Sequence, residues 1–229
     1  GKLLIAQASG AIILAIIVAA AFPLVYAGEM NFKVAFGLFI ATILIATTFS
    51  DVWRKSKGQI GRLSSLSKSY WGMVIAHTGI AITVIGITVV SNFSVEKAIK
   101  MAPGDVVSLS GYDFEFTQIG EKQGPNYMAH VGSFEITKSG EFVSMLHPEK
   151  RRYKVQGSMM TEAAIDAGLF RDLYVSMGEP LEDGAWAMRI QVKAYMRWVW
   201  LGAIFMSLGG LLAILDKRYR LRKKIASAV

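Results

Sequence analysis

"YWGMVIAHTGIAITVIGITVV", residues 70–90, decides the fold. It holds no Asp, Glu, Lys or Arg. At ~1.5 Å per residue it is long enough to cross a ~30 Å hydrocarbon core, so it predicts a membrane-spanning helix. Two faces separate when its residues are placed about 100° apart. Gly72, Ala76, Gly79, Thr83 and Gly86 form a stripe of small side chains that lets another helix approach closely. His77 lies on the far side, with Tyr70, Met73, Ala81, Val84 and Thr88. The small Ala81, one turn on, is expected to leave room for a flat group beside the imidazole.

His77 is the chief functional candidate. It sits about seven residues, or ~10 Å, from one end of the span. An ionisable side chain at that depth is costly and by default marks a functional site. The pattern alone leaves three readings: a histidine bonded to a neighbouring carbonyl or hydroxyl, a haem or metal ligand, and a proton relay. A six-coordinate haem needs a second axial ligand, and no other histidine or cysteine falls in an apolar run. Span methionines such as Met73 and Met206 read as packing residues.

Working outward, three more apolar runs appear, giving predicted spans at about 3–26, 32–53, 70–90 and 197–216. Of all residues 53% are hydrophobic and 18% charged, a charge content below that of soluble domains. The formal net charge of +8 is unevenly placed. Basic residues crowd the loop 54–69 (Arg54, Lys55, Lys57, Arg62, Lys68) and the tail 217–229, which places both in the cytoplasm. The segment 91–196 carries 11 Lys and Arg against 14 Asp and Glu and falls on the periplasmic side. Trp53, Tyr70 and Trp71 mark one interface, and Tyr195, Trp198 and Trp200 the other. The basic tail reads as topogenic and attracted to anionic membrane lipid, not as a nucleic-acid site.

Cysteine is absent, which excludes disulfides, a thiol nucleophile, a Cys-based zinc site and covalent haem attachment to this chain. The chain starts at Gly1 without a basic stretch ahead of its first apolar run, which fits part of a longer protein.

Residues 91–196 predict a small β-rich domain, a barrel or sandwich, with an OB-like barrel as one form. Strands are expected at 106–109, 112–119, 131–137, 141–146, 152–156, 173–176 and 186–192, with turns near Gly111 and at "KSG", 138–140. In the second strand Phe114, Phe116 and Gln118 are expected on one face. "TEAAIDAG", 161–168, predicts one short helix with Thr161 as N-cap and Gly168 as stop. His130 and His147 read as surface or turn residues. Lys150, Arg151, Arg152 and Lys154 form a basic run that could take carboxylates or an acidic partner, or be a solvated strand edge. No nucleophile elbow, phosphate loop or dinucleotide fingerprint is present.

Longer stretches carry a resemblance. "VIAHTG" (74–79), "SNFSVEKAIKMAPGD" (91–105), "GPNYMAHVG" (124–132), "PEKRRYKVQ" (148–156), "MTEAAIDAGLFRDLYVSMGEPLEDGAWAMRI" (160–190) and "LGGLLAILDKRYR" (208–220) occur in this order. Together they resemble the C-terminal part of the CcmF family, large membrane subunits of bacterial cytochrome c maturation. The resemblance implies a cytochrome c haem lyase of the bacterial inner membrane. Such a protein receives haem from a haem chaperone and promotes its thioether attachment to apocytochrome c. Thioredoxin-like and TPR-containing subunits are its partners. It also implies a permanent haem b between two intramembrane histidines, and His77 matches one of these axial ligands. The family's tryptophan-rich substrate-haem motif, its external histidines and the second axial ligand have no counterpart here. His130 and His147 match no ligand position. The alternatives are a haem- or anion-transport membrane subunit and a non-catalytic assembly module.

Overall fold

The computed structural model describes residues 2–155 and 157–216. The predicted basic tail, 217–229, lies outside them. Residues 93–195 form one compact unit, and the other described residues form a second.

The helical unit contains α1 (Lys2–Ala27), α2 (Phe32–Lys55), α3 (Lys68–Phe93) and α4 (Met196–Ile214). All four contain stretches long and apolar enough to cross a membrane. Asn31 starts α2, its Oδ1 accepting from the amides of Lys33 (3.1 Å) and Val34 (3.2 Å). A 3-10 turn, Ile60–Ser65, fills the connection from α2 to α3.

The small-residue stripe of α3 packs on α4. A Cβ added at Gly72 would fall 2.5 Å from the Gly209 carbonyl oxygen. One at Gly79 would fall 2.7 Å from that of Gly202, and one at Gly86 2.8 Å from the Val199 nitrogen. Gly209 in turn faces Ala76, and Gly202 faces Thr83. Seven-residue spacing on both helices keeps these positions in one seam along an antiparallel pair. On the other side of α3, Thr88 fills the space above Gly37 of α2.

The β unit is a sandwich of antiparallel sheets. Its strands are β1 (Val95–Met101), β2 (Val106–Leu109), β3 (Tyr112–Gln123), β4 (Tyr127–Lys138), β5 (Glu141–Leu146), β6 (Glu149–Tyr153), β7 (Met159–Glu162), β8 (Ala164–Ala167), β9 (Arg171–Pro180) and β10 (Trp186–Ala194). One sheet has the order β1-β10-β9-β8 and the other β2-β3-β4-β6-β7, with β5 also on β4. The long β4 carries β5 along residues 134–138 and β6 along 127–131. Phe114, Phe116, Phe134 and Ile136 from one sheet meet Leu173, Val175, Met177, Met188 and Ile190 from the other. Each of these is at most 1% exposed. Two sheets facing across this core make the domain a sandwich, and the barrel and OB-like alternatives fall away.

Both expected hairpins are present. Ser110 (φ 51°) and Gly111 (φ 76°) join β2 to β3, and Ser139 (φ 53°) and Gly140 (φ 80°) join β4 to β5. Two consecutive positive φ values define the turn that matches strand twist.

Two expectations are corrected. Residues 161–168 are not helical: the segment ends β7, turns at Ala163 and continues as β8. Thr161 is no N-cap. Its Oγ1 donates to the Met177 carbonyl at 2.9 Å, tying one sheet to the other where the chain crosses between them. Gln118 does not share the face of Phe114 and Phe116. A bulge between Phe116 and Gln118 resets the alternation, leaving Gln118 exposed and turning Ile119 toward the core.

Candidate functional site

The start of α3 is anchored by four hydrogen bonds. Ser67 Oγ accepts from the Tyr70 amide at 3.2 Å, and Asp216, buried beyond α4, accepts from the Ser69 amide at 2.8 Å. The Trp71 indole donates to the Leu63 carbonyl at 3.2 Å. Tyr70 donates its hydroxyl to Asp51 Oδ2 at 2.8 Å, linking α3 to α2, and Asp51 also pairs with Arg54 (2.6 Å) and Lys55 (3.2 Å).

Two turns further along α3 lies His77. Its Nδ1 is 2.8 Å from the Met73 carbonyl oxygen. A carbonyl only accepts, so Nδ1 carries the proton, and Nε2 is the ring nitrogen left to act as a donor atom to a metal. A backbone carbonyl on one ring nitrogen is the usual way a ligating histidine is held in tautomer and orientation. Met73 and Ile80, which flank His77 on its own helix, are 36% and 41% exposed, and Ile87 continues that strip at 50%. The bond that orients the ring was open to sequence reasoning, since Met73 is four residues before His77, but the free strip was not. The open slot expected over Ala81 is absent: Ala81 is fully buried.

These residues fit one side of an iron site. His77 supplies an imidazole with Nε2 as its available donor atom in an apolar span, and the adjoining strip is apolar and accessible. Among the described residues no cluster of three or more His, Cys, Asp or Glu side chains is placed to hold a metal. Met206 lies in the α3–α4 seam, its backbone nitrogen against Gly79.

The other two histidines belong to the β unit. The His130 ring lies 5.2 Å from the Trp186 ring, with Nδ1 4.0 Å from Glu121. His147 is exposed, and its Nδ1 is 3.2 Å from Ser133 Oγ. The basic run is neither a free patch nor a strand edge, because β6 pairs on both sides. Lys150 is 6% exposed and pairs with Glu179 at 2.8 Å. Arg151 holds Glu149 (2.7 Å) and Glu162 (3.3 Å) and lies over the Tyr127 ring. Lys122 also reaches Glu149, at 2.9 Å. Burial pushes the Glu149 carboxyl up, but the hydrogen bonds from Lys122 and Arg151 outweigh it and hold it below the usual carboxylate range. Only Arg152 and Lys154 of the run stay exposed.

Four bilayer-length apolar helices, with an antiparallel sandwich carried between the third and fourth, define a multi-pass membrane protein. Residues 92–194 match a family model described as the CcmF C-terminal beta-sandwich. The chain is 47% identical over 201 residues to the cytochrome c-type biogenesis protein CcmF of Pseudomonas aeruginosa, covering 87% of this chain and 31% of the relative. It is 48% identical over 164 residues to the CcmF of Escherichia coli, covering 72% and 25%. The chain belongs to the CcmF family of cytochrome c-type biogenesis proteins. It spans a quarter to a third of the length of these curated relatives. A solved structure named cytochrome c heme lyase CcmF superposes with a TM-score of 0.74, covering 90% of this chain and 34% of the other. At 15% identity, that likeness speaks to the fold.

Proposed function

We propose that this chain is the C-terminal portion of a cytochrome c haem lyase and that His77 is one axial ligand of a haem b held within the membrane. The observation that carries the reading is the bond from His77 Nδ1 to the Met73 carbonyl, which leaves Nε2 as the donor on a membrane-length helix whose run 70–90 holds no Asp, Glu, Lys or Arg. The haem supplies one-electron transfer. This chain's residues do the rest: Met73 fixes the tautomer, α4 and α2 hold α3 in place through the glycine contacts, and the apolar strip at Met73, Ile80 and Ile87 keeps water from the iron side. The opposing ligand and the substrate-haem site belong to the remainder of the complete protein.

In this reading the protein is a multi-pass component of the bacterial inner membrane, with residues 91–196 periplasmic and 54–69 and the C-terminus cytoplasmic. It works with a haem chaperone, apocytochrome c, and thioredoxin-like and TPR-containing subunits, for which the sandwich is the docking domain. The relatives' names, which place them in cytochrome c-type biogenesis, support this assignment. The test is His77→Ala in the complete protein, with haem content measured by pyridine haemochrome and maturation by covalently bound cytochrome c. The expected result is loss of most resident haem b together with maturation. Wild-type haem content would remove His77 from the site.

A further inference from the structure

The helical unit holds a cavity of about 690 Å³ that the haem reading does not use. Leu14 of α1, Phe49 and Trp53 of α2, Ile60 and Leu63 of the 3-10 turn and Trp71 of α3 line it, so its walls are almost wholly apolar. It sits at the end of α2, where the chain folds back through Lys57 (φ 52°) and Gly58 (φ 69°), and the Gly58 backbone lies against the Trp53 indole. The Trp71 bond to Leu63 holds the 3-10 turn beside the cavity. Trp53 is 62% and Ile60 80% exposed, so the mouth is open and apolar.

Two cations adjoin the lining residues along the chain. Lys57 follows the lining residue Ser56, and Arg62 falls between the lining residues Ile60 and Leu63. Both are exposed, and no ion pair involves either among the described residues. The nearby Asp51 is already taken by Arg54 and Lys55. Volumes of ~300–1,000 Å³ suit a small ligand or a lipid chain. An apolar cavity beside exposed tryptophan, at the end of a membrane-length helix and with exposed basic residues next to its lining residues in sequence, matches a lipid. We propose that this cavity holds an acyl chain of an anionic phospholipid, with Lys57 and Arg62 meeting its phosphate.

The full protein, purified in detergent, is titrated with dioleoyl phosphatidylglycerol and with dioleoyl phosphatidylcholine, and bound lipid is read by native mass spectrometry. Two cations at the headgroup predict a preference for phosphatidylglycerol of roughly thirtyfold. The K57Q/R62Q double variant, changed only at exposed positions, removes the preference, lowering phosphatidylglycerol retention far more than that of the zwitterionic phosphatidylcholine. Ala46→Phe, which fills the cavity, lowers retention of both. Equal retention of the two lipids by the wild type overturns the proposal, as does a preference that survives K57Q/R62Q. Glycerophosphoglycerol binding as tightly as the intact lipid would mean a site for free phosphate, and would overturn the acyl-chain assignment.

Discussion

At the residue scale, Glu149 and His77 show how fixed partners decide chemistry. Glu149 is 8% exposed and stays ionised because Lys122 and Arg151 both reach it. Its folded-state pKa lies below its unfolded value, so its contribution is fully present above the ordinary carboxylate range and is lost as pH falls through the folded value. Glu149→Gln should therefore cost about 1–2 kcal/mol at neutral pH and progressively less as pH falls below the ordinary carboxylate range. Thermal melts of the purified protein across that range would show the wild-type and variant curves converging on acidification. A constant gap would mean that the charge is not what matters. From sequence alone Lys150 and Arg151 read either as a carboxylate-binding patch or as a solvated strand edge, and both readings leave them unpaired. Their partners Glu179 and Glu162 lie on other strands, and nothing local announces pairs formed across the fold. His77 was legible as a candidate because one ionisable residue interrupts an uncharged span.

At the element scale, the segments with strong local patterns were readable. The helices announce themselves by length and lack of charge, the hairpins by Ser-Gly pairs, and β10 by an alternation that runs buried and less buried along "WAMRIQVKA". Where pattern and environment diverge, reading fails. β1, "VEKAIKM", is exposed along most of its length and is held by backbone pairing to β10, so it carries no hydrophobic alternation. "TEAAIDAG" has good helix formers, yet pairing of β7 with β6 and of β8 with β9 overrides that propensity. The glycine stripe of α3 was readable as an interface, though not with α4 as its partner. Gly79→Leu forces a side chain into the Gly202 backbone. Overpacking of this kind costs about 1–3 kcal/mol or more. The variant should show increased protease cutting in α3 and α4 and a lower melting temperature. Wild-type values for both would argue against a tight seam.

At the scale of the whole molecule, the β unit has the organisation of a self-sufficient domain. Its first and last strands pair, with Val95 opposite Val192, and its core draws on both sheets. Residues 93–195 produced alone should fold to a soluble domain with dispersed amide resonances and a cooperative melt. A collapsed, non-cooperative product would mean that the sandwich depends on the helical unit. The helical unit raises the central question, because it presents one histidine with a free Nε2 beside an accessible apolar strip. The most direct measurement is the reduced absorption spectrum of the complete protein carrying His77→Gly, taken without and with added imidazole. The account predicts that the six-coordinate bis-histidine bands of the wild type are lost in the variant and return with imidazole. Wild-type bands in the variant without imidazole would contradict it.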